Sequence, residues 1–166
     1  IRPEGQRDIY SPIIYQEAFA SRKLRASVGY DMFSEPVLRA AIQNAIDTGK
    51  THASGKIKVL LEDSNKKQPG FFIYIPVYSN DTNIDTNIDT AAEWRKNIRG
   101  LVYSSFLVND LMDGIFGEYA GDLDIHIFDG DLKSNETLIY DSHPNDPSAI
   151  DALVTTLKFN IAGHIW

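Results

Sequence analysis

The stretch Phe71-Phe72-Ile73-Tyr74-Ile75-Pro76-Val77-Tyr78 is apolar or aromatic at every position as far as Pro76. Side chains of an extended strand alternate between two faces, so this run has no polar face to give to water. Such a strand belongs inside a layered fold, with a helix layer on one face and a second apolar surface or a cavity on the other. The segment before it behaves differently. In Ile57-Lys58-Val59-Leu60-Leu61-Glu62, residues Ile57, Val59 and Leu61 point one way and the polar positions the other. With a polar turn from Asp63 to Gly70 between them, the two segments read as adjacent antiparallel strands.

Upstream the apolar period is near 3.6. Leu38, Ala41, Ile42, Ala45 and Ile46 recur at three and four, the spacing of one buried helical face, while Arg39, Gln43, Asn44 and Asp47 take the other. Ser34 is the expected N-cap, Pro36 is tolerated in the first turn, and Gly49 supplies the residue of positive φ that ends the helix. Downstream, a short helix is expected around Ala92–Ile98, a strand over Leu101–Leu107, and a helix from Asn109 or Asp110 through Phe116. Alternation from Asp122 predicts a strand with Leu123, Ile125 and Ile127 opposite Asp124, His126 and Phe128. Thr137–Tyr140 and Thr156–Ala162 read as further strands, the latter burying Leu157, Phe159 and Ile161, and Asp8–Tyr15 as an extended edge segment. The repeated Asp-Thr-Asn-Ile tract over 81–90 reads as a solvated loop. Helices interposed among strands without a regular βαβ repeat make the fold class α+β with antiparallel sheets.

Composition narrows the function classes. A chain of 166 residues suffices for one ordinary domain or two small ones without a metal or disulfide staple. The absence of cysteine excludes a disulfide framework, a thiolate metal site and a cysteine nucleophile. Lys and Arg number 16 against 23 Asp and Glu, a formal charge of -7, which argues against nucleic acid or an anionic membrane surface as partner. No stretch reaches the roughly 18 apolar residues of a membrane span. The apolar ends, Ile1 and Trp166, point to a piece of a longer protein.

Catalytic signals are weak. His52, His126, His143 and His164 include no pair three or four apart, so no metal site is read from them. There is no nucleophile elbow and no phosphate-binding glycine loop. Asp122 and Asp124 form a candidate carboxylate pair for an acidic hydrolase, but nothing in sequence separates their pKa values, and they read as a solvated acidic edge. No catalytic residue and no cofactor is assigned. Aromatic density around the sheet, at Phe71, Phe72, Tyr74, Tyr78, Tyr103 and Phe106, fits either a core or a small-molecule pocket.

Three ordered motifs carry a family resemblance. Gly29-Tyr30-Asp31-Met32-Phe33-Ser34-Glu35-Pro36, followed by Arg39, Ala40-Ala41, Ala45 and Asp47-Thr48-Gly49, is similar to the central signature of the CHASE domain. Gly70 to Tyr78 resembles its second signature, a strand ending in Pro-Val-Tyr, and Arg95, Gly100, Phe106 and Asp110-Leu111 fall in the order of the third. The resemblance covers nearly the whole chain. It implies the extracytoplasmic sensor of histidine kinases and nucleotide cyclases, with a stalk helix that this sequence lacks and two PAS-like units. The membrane-distal unit would span residues 1–120 and the proximal one 121–166. A small organic ligand in the distal unit, a homodimer in the full receptor and attachment to the membrane only through flanking helices are implied likewise.

In the plant cytokinin receptors of that family a carboxylate near the start of the pocket helix holds adenine. The matching position here is the apolar Leu38, and Tyr74 stands where those receptors carry a small hydroxyl residue, so cytokinin is not the expected ligand. Leu60, Phe72, Tyr74, Tyr103 and Ser105 are the expected pocket residues on the sheet, with Leu38 as the helix-side wall. The rival reading is an interaction module without a ligand, signalling through dimer contacts or a protein partner.

Overall fold

The computed structural model describes residues 1–17, 27–60, 67–79, 90–117, 123–144 and 153–166. In chain order the elements are a 3-10 turn (Met32–Ser34), α1 (Pro36–Thr48), β1 (His52–Ala53), β2 (Ile57–Leu60), β3 (Lys67–Tyr78), α2 (Ala91–Asn97), β4 (Ile98–Leu107), α3 (Val108–Phe116), β5 (His126–Phe128), β6 (Leu138–Asp141), β7 (Asn160–Ile161) and β8 (His164–Ile165). The fold is α+β and its sheets are antiparallel.

The doubly apolar strand is the centre of the main sheet. Along one edge β3 pairs β4, with Phe72 opposite Ser105 and Tyr74 opposite Tyr103. Along the other it pairs β2 and then β1, with Ile57 opposite Gly70 and His52 opposite Tyr74. Ser54 interrupts that second edge. Its backbone N–H donates to the Phe72 carbonyl at 2.7 Å, and its hydroxyl accepts from the Phe72 N–H at 2.9 Å, so the ladder stays satisfied across the gap. Gly70 is squeezed between both neighbours, where a Cβ would lie 2.5 Å from the Phe106 carbonyl oxygen and 2.9 Å from Val59.

From Phe71 to Tyr74 both faces of β3 are covered, whereas further along Ile75 and Val77 are exposed. Leu38, Ala41, Ile42 and Ala45 of α1 pack with Met32, Phe33 and Ile13 around Tyr74. On the opposite face Val108 and Met112 of α3 and Ile139 of β6 close over Phe71, with Ile73, Phe106 and Trp166 alongside. Burying a side chain of this size is worth about 1.5–3 kcal/mol each. Helix α2 rests on the end of α1. Thr90 and Glu93 form a capping box, and Arg95 grips Asp47 through two bonds of 2.6 and 2.5 Å. Trp94 packs against Tyr78 with the ring centroids 4.7 Å apart and the planes tilted, and fills the space beside Gly49, which has φ 66° and ends α1.

Four expectations are corrected. The N-cap of α1 is Glu35, whose Oε1 accepts from the Val37 N–H. Ser34 belongs to the preceding 3-10 turn, which Asp31 caps, and its hydroxyl donates to the Asp31 carbonyl. The strand expected over 156–162 is formed only at Asn160–Ile161, while the segment 8–15 carries an isolated bridge from Pro12 to Asp31. Strand β5 begins at His126, and Leu123 is exposed. Leu157, Phe159 and Ile161 are not buried, at 66, 57 and 46% exposure. There the chain turns back at Ala162 and Gly163, both of positive φ, into the two-residue ladder of β7 and β8, which has no partner sheet to cover it. The 81–89 tract lies outside the described residues.

Candidate functional site

One end of α1, the turn before it and the sheet enclose a cleft of about 640 Å³. Leu38 enters from α1, Phe72 from β3, Tyr103 from β4, Ile57 and Val59 from β2, and Met32 from the turn. Alternation explains the set: Ile57 and Val59 face the same side as Gly70 and Phe72, and Tyr103 pairs Tyr74 on that face. The floor is aromatic. Phe72 lies 6.1 Å from Tyr74 and 5.7 Å from Tyr103, and the two tyrosine rings are 6.4 Å apart.

The two phenols differ in what they offer. Tyr74 is fully buried, and its hydroxyl donates to Met32 Sδ at 3.3 Å. Burial pushes its pKa far up, with Tyr103 and Tyr30 adding to the shift, so it stays neutral. Tyr103 lines the cleft. Burial raises its pKa too, the Ser27 hydroxyl pulling less strongly the other way. Its hydroxyl is shielded from solvent and no hydrogen bond of normal geometry satisfies it among the described residues. A buried hydroxyl in that state costs about 1–3 kcal/mol and gives a ligand acceptor a ready donor.

The N-terminal segment forms the outer wall, with Arg2, Ile13 and Gln16 in the lining. Asp31 holds it there. Fully buried, Asp31 accepts through Oδ1 from the backbone N–H groups of Ser11 at 2.8 Å and Phe33 at 3.1 Å, while Oδ2 lies 3.2 Å from Arg7 Nη1. Backbone bonds join Arg2 to Gly29 and Asp31, and Ile13 to Tyr30 and Gly29. At the mouth the Ser27 hydroxyl donates to Gln16 Oε1.

Of the residues expected in the pocket, Leu38, Phe72 and Tyr103 come together in this cleft. Tyr74 lies beneath them in the core, and Ser105 shares the face of Tyr103 one pair further along β4 without entering the lining. Leu60 ends β2. On β2 Ile57 and Val59 were missed as pocket residues, although their alternation was read; in the strap and turn, Arg2, Gln16, Ser27 and Tyr30 were missed as well. The latter four follow no period, and the only available signal was the unexplained Asp31 amid apolar neighbours.

Elsewhere, Asp122 lies outside the described residues and Asp124 is exposed and outside the cleft. No helix among the described residues is long and apolar enough to cross a membrane. No curated protein matches the sequence. The family model of the CHASE domain matches residues 1–140 of the 166. The three motifs of the resemblance fall within that span, the first on the turn and helix and the second on the strand that build the cleft, the third over α2, β4 and α3, and the chain therefore belongs to the CHASE domain family, extracytoplasmic, sensory domains of signalling receptors.

Proposed function

We propose that the cleft beside α1 receives a small organic ligand, and that this chain is the ligand-sensing part of a transmembrane receptor with a kinase or cyclase output. The observation that carries the reading is the shielded Tyr103 hydroxyl, without a hydrogen bond of normal geometry among the described residues, on the wall of an aromatic-floored cleft. A ligand of fitting chemistry has an apolar or aromatic body and a hydrogen-bond acceptor for Tyr103. Leu38 itself gives adenine no carboxylate partner, and the carboxylate at that end of α1, Glu35, is the helix cap. In this reading residues 1–120 are the membrane-distal, PAS-like unit and 121–166 the proximal one, outside the cytoplasm.

To signal, the ligand must bind two states differently, and a shift from 1:99 to 99:1 takes about 5.5 kcal/mol of differential affinity. Strand β3 is a short route for it: Phe72 lines the cleft, and its neighbour Phe71 touches Trp166 near the chain's last strand. The test is a thermal-shift screen of the domain against a metabolite library. Hits whose stabilisation disappears in Leu38→Trp and weakens in Tyr103→Phe are expected. A library without hits, or hits indifferent to both variants, sinks the reading.

One observation favours the second reading, a ligand-free dimerisation module. Ile75 and Val77 of β3 and Val102 of β4 are 48, 44 and 57% exposed, and Ile75 pairs Val102 directly. Sedimentation of the domain separates the two: a stable dimer lost in Val102→Glu supports this reading, and a monomer at all concentrations counts against it.

A further inference from the structure

Outside the cleft, one motif occurs twice and the fold brings its copies face to face. Asp124-Ile125-His126 and Asp141-Ser142-His143 are both Asp-x-His. In an extended chain the first and third residues of such a triplet share a face. His126 of β5 is the direct partner of Asp141 of β6, and the ribbon continues beyond the ladder through the Ser142 N–H to the Ile125 carbonyl at 3.0 Å. All four side chains therefore stand on one face of the ribbon, as a grid of two carboxylates and two imidazoles.

Their atoms converge without bonding one another. His126 Nε2 lies 3.6 Å from Asp124 Oδ1 and 3.5 Å from Asp141 Oδ1, and His143 Nδ1 lies 3.6 Å from Asp124 Oδ1. Among the described residues no hydrogen bond joins either imidazole to a carboxylate oxygen. Donor atoms of Asp124, His126 and Asp141 all lie within 4.8 Å of one another. Ligand atoms about 2.0–2.1 Å from a tetrahedral metal are themselves about 3.4 Å apart, close to these separations. Hydrogen bonds already orient parts of the set: Asp141 Oδ1 accepts from the His143 N–H at 2.8 Å, and Ser142 Oγ contacts Asp124 Oδ1 at 3.4 Å and His143 Nδ1 at 2.9 Å. The side chains are 24 to 45% exposed, so an ion has access and water has room to complete its shell.

We propose that Asp124, His126 and Asp141, with His143 beside them, bind a divalent transition-metal ion of the zinc class. Imidazole nitrogen combined with carboxylate oxygen favours zinc over the hard cations magnesium and calcium, which take oxygen alone. Two carboxylates neutralise the ion. The bound ion pins β5 to β6, and Ile139 of β6 is one of the residues that seal Phe71, so occupancy stiffens the side of the sheet opposite the cleft.

The experiment uses the chelator-treated domain, titrated with zinc sulfate near neutral pH and followed by calorimetry and thermal shift. Expected are one zinc per chain, a rise in melting temperature, loss of both in His126→Ala and Asp141→Asn, retention in His52→Gln and His164→Gln, and no response to magnesium sulfate. The ligands are surface residues, so circular dichroism of the metal-free variants serves as the folding control. Absence of a zinc response overturns the proposal. So does a response that survives His126→Ala or is lost equally in His52→Gln, which would place the ion elsewhere. A magnesium response of the same size would overturn the assignment to a nitrogen-containing site.

Discussion

The two faces of β3 are equally apolar in sequence and end in opposite states. On one, Phe71 stacks on Phe106 at 5.1 Å and meets Trp166 at 5.2 Å, sealed by Val108, Met112 and Ile139. On the other, Tyr74 is fully buried, but its neighbour Phe72 is half-buried and looks onto the cleft. The covering helix accounts for the difference. Ala41, Ile42 and Ala45 of α1 close over Tyr74, whereas Glu35 and Leu38 at the start of the helix line the cleft. One strand thus carries a sealed face and a receptive face, and a ligand on one side is a single peptide unit away from the packed aromatics of the other.

The sharpest way to break this contrast is to truncate adjacent residues. Phe71→Ala removes a ring that touches two others in a closed cluster and is expected to cost about 3–5 kcal/mol. Phe72→Ala widens a cleft that water already reaches, so its expected cost is about 1–2 kcal/mol. Urea denaturation of the two variants measures the gap directly. Equal costs would mean that the cleft face is packed as tightly as the other.

Next in size is the strap that walls the receptive face. Asp31→Ala leaves the Ser11 and Phe33 N–H groups and the Arg7 guanidinium without their acceptor, and breaking such a buried pair is expected to cost about 3 kcal/mol. Limited proteolysis should then cut within the first fifteen residues before the sheet unfolds. If cleavage begins instead in the β5 and β6 ribbon, Asp31 is not what holds the strap. A smaller effect, about 1–3 kcal/mol, is expected of Gly70→Ala, which forces a methyl group against the Phe106 carbonyl and Val59 where the receptive face is narrowest between strands. A melting temperature unchanged by that substitution would show that the two neighbouring strands yield.

How far all this was legible in sequence depends on the range of the interaction. The helix Leu38–Ile46 and the strands around 57–78 and 101–107 declare themselves by period, because their partners lie three, four or two residues away. The doubly apolar run at 71–75 even announced that β3 would be covered on both sides. The strap was not legible, since Asp31 acts on Ser11 and Arg7 some twenty residues distant and no local pattern marks it. Ser34 was misread as a cap for a related reason: Asp31 claims the preceding turn and leaves the cap to Glu35. At 156–162 the alternation was real but the burial was not, because only Asn160 and Ile161 join a ladder, the short hairpin with His164 and Ile165. Within the site, Leu38, Phe72 and Tyr103 were among the positions the family resemblance implied, whereas Ile57 and Val59 of β2 and the residues of the outer wall were not. The Asp-x-His pair likewise needs the pairing of His126 with Asp141 before its two halves mean anything together.

The smallest expected effect tests the sealed side at its far corner, where β1 and β2 meet the C-terminal hairpin. Asp129 accepts from His164 Nε2 at 2.5 Å and from the Lys56 backbone N–H at 2.8 Å. Burial pushes its carboxyl upward, but these two bonds and the nearby charges outweigh it and hold its pKa below the ordinary carboxylate value. With the folded pKa depressed, the unfolded chain binds the proton first as pH falls. The contribution is therefore complete above about pH 4 and is lost progressively as pH drops through the folded value. For a partly exposed, charge-assisted pair it amounts to about 1 kcal/mol. Melting temperatures between pH 2.5 and 5 are expected to fall more steeply in the parent than in Asp129→Asn, which has no proton to take up. Matching slopes would mean that the hairpin is held by the Ala53 to Ala162 backbone bond and the Trp166 ring rather than by this pair.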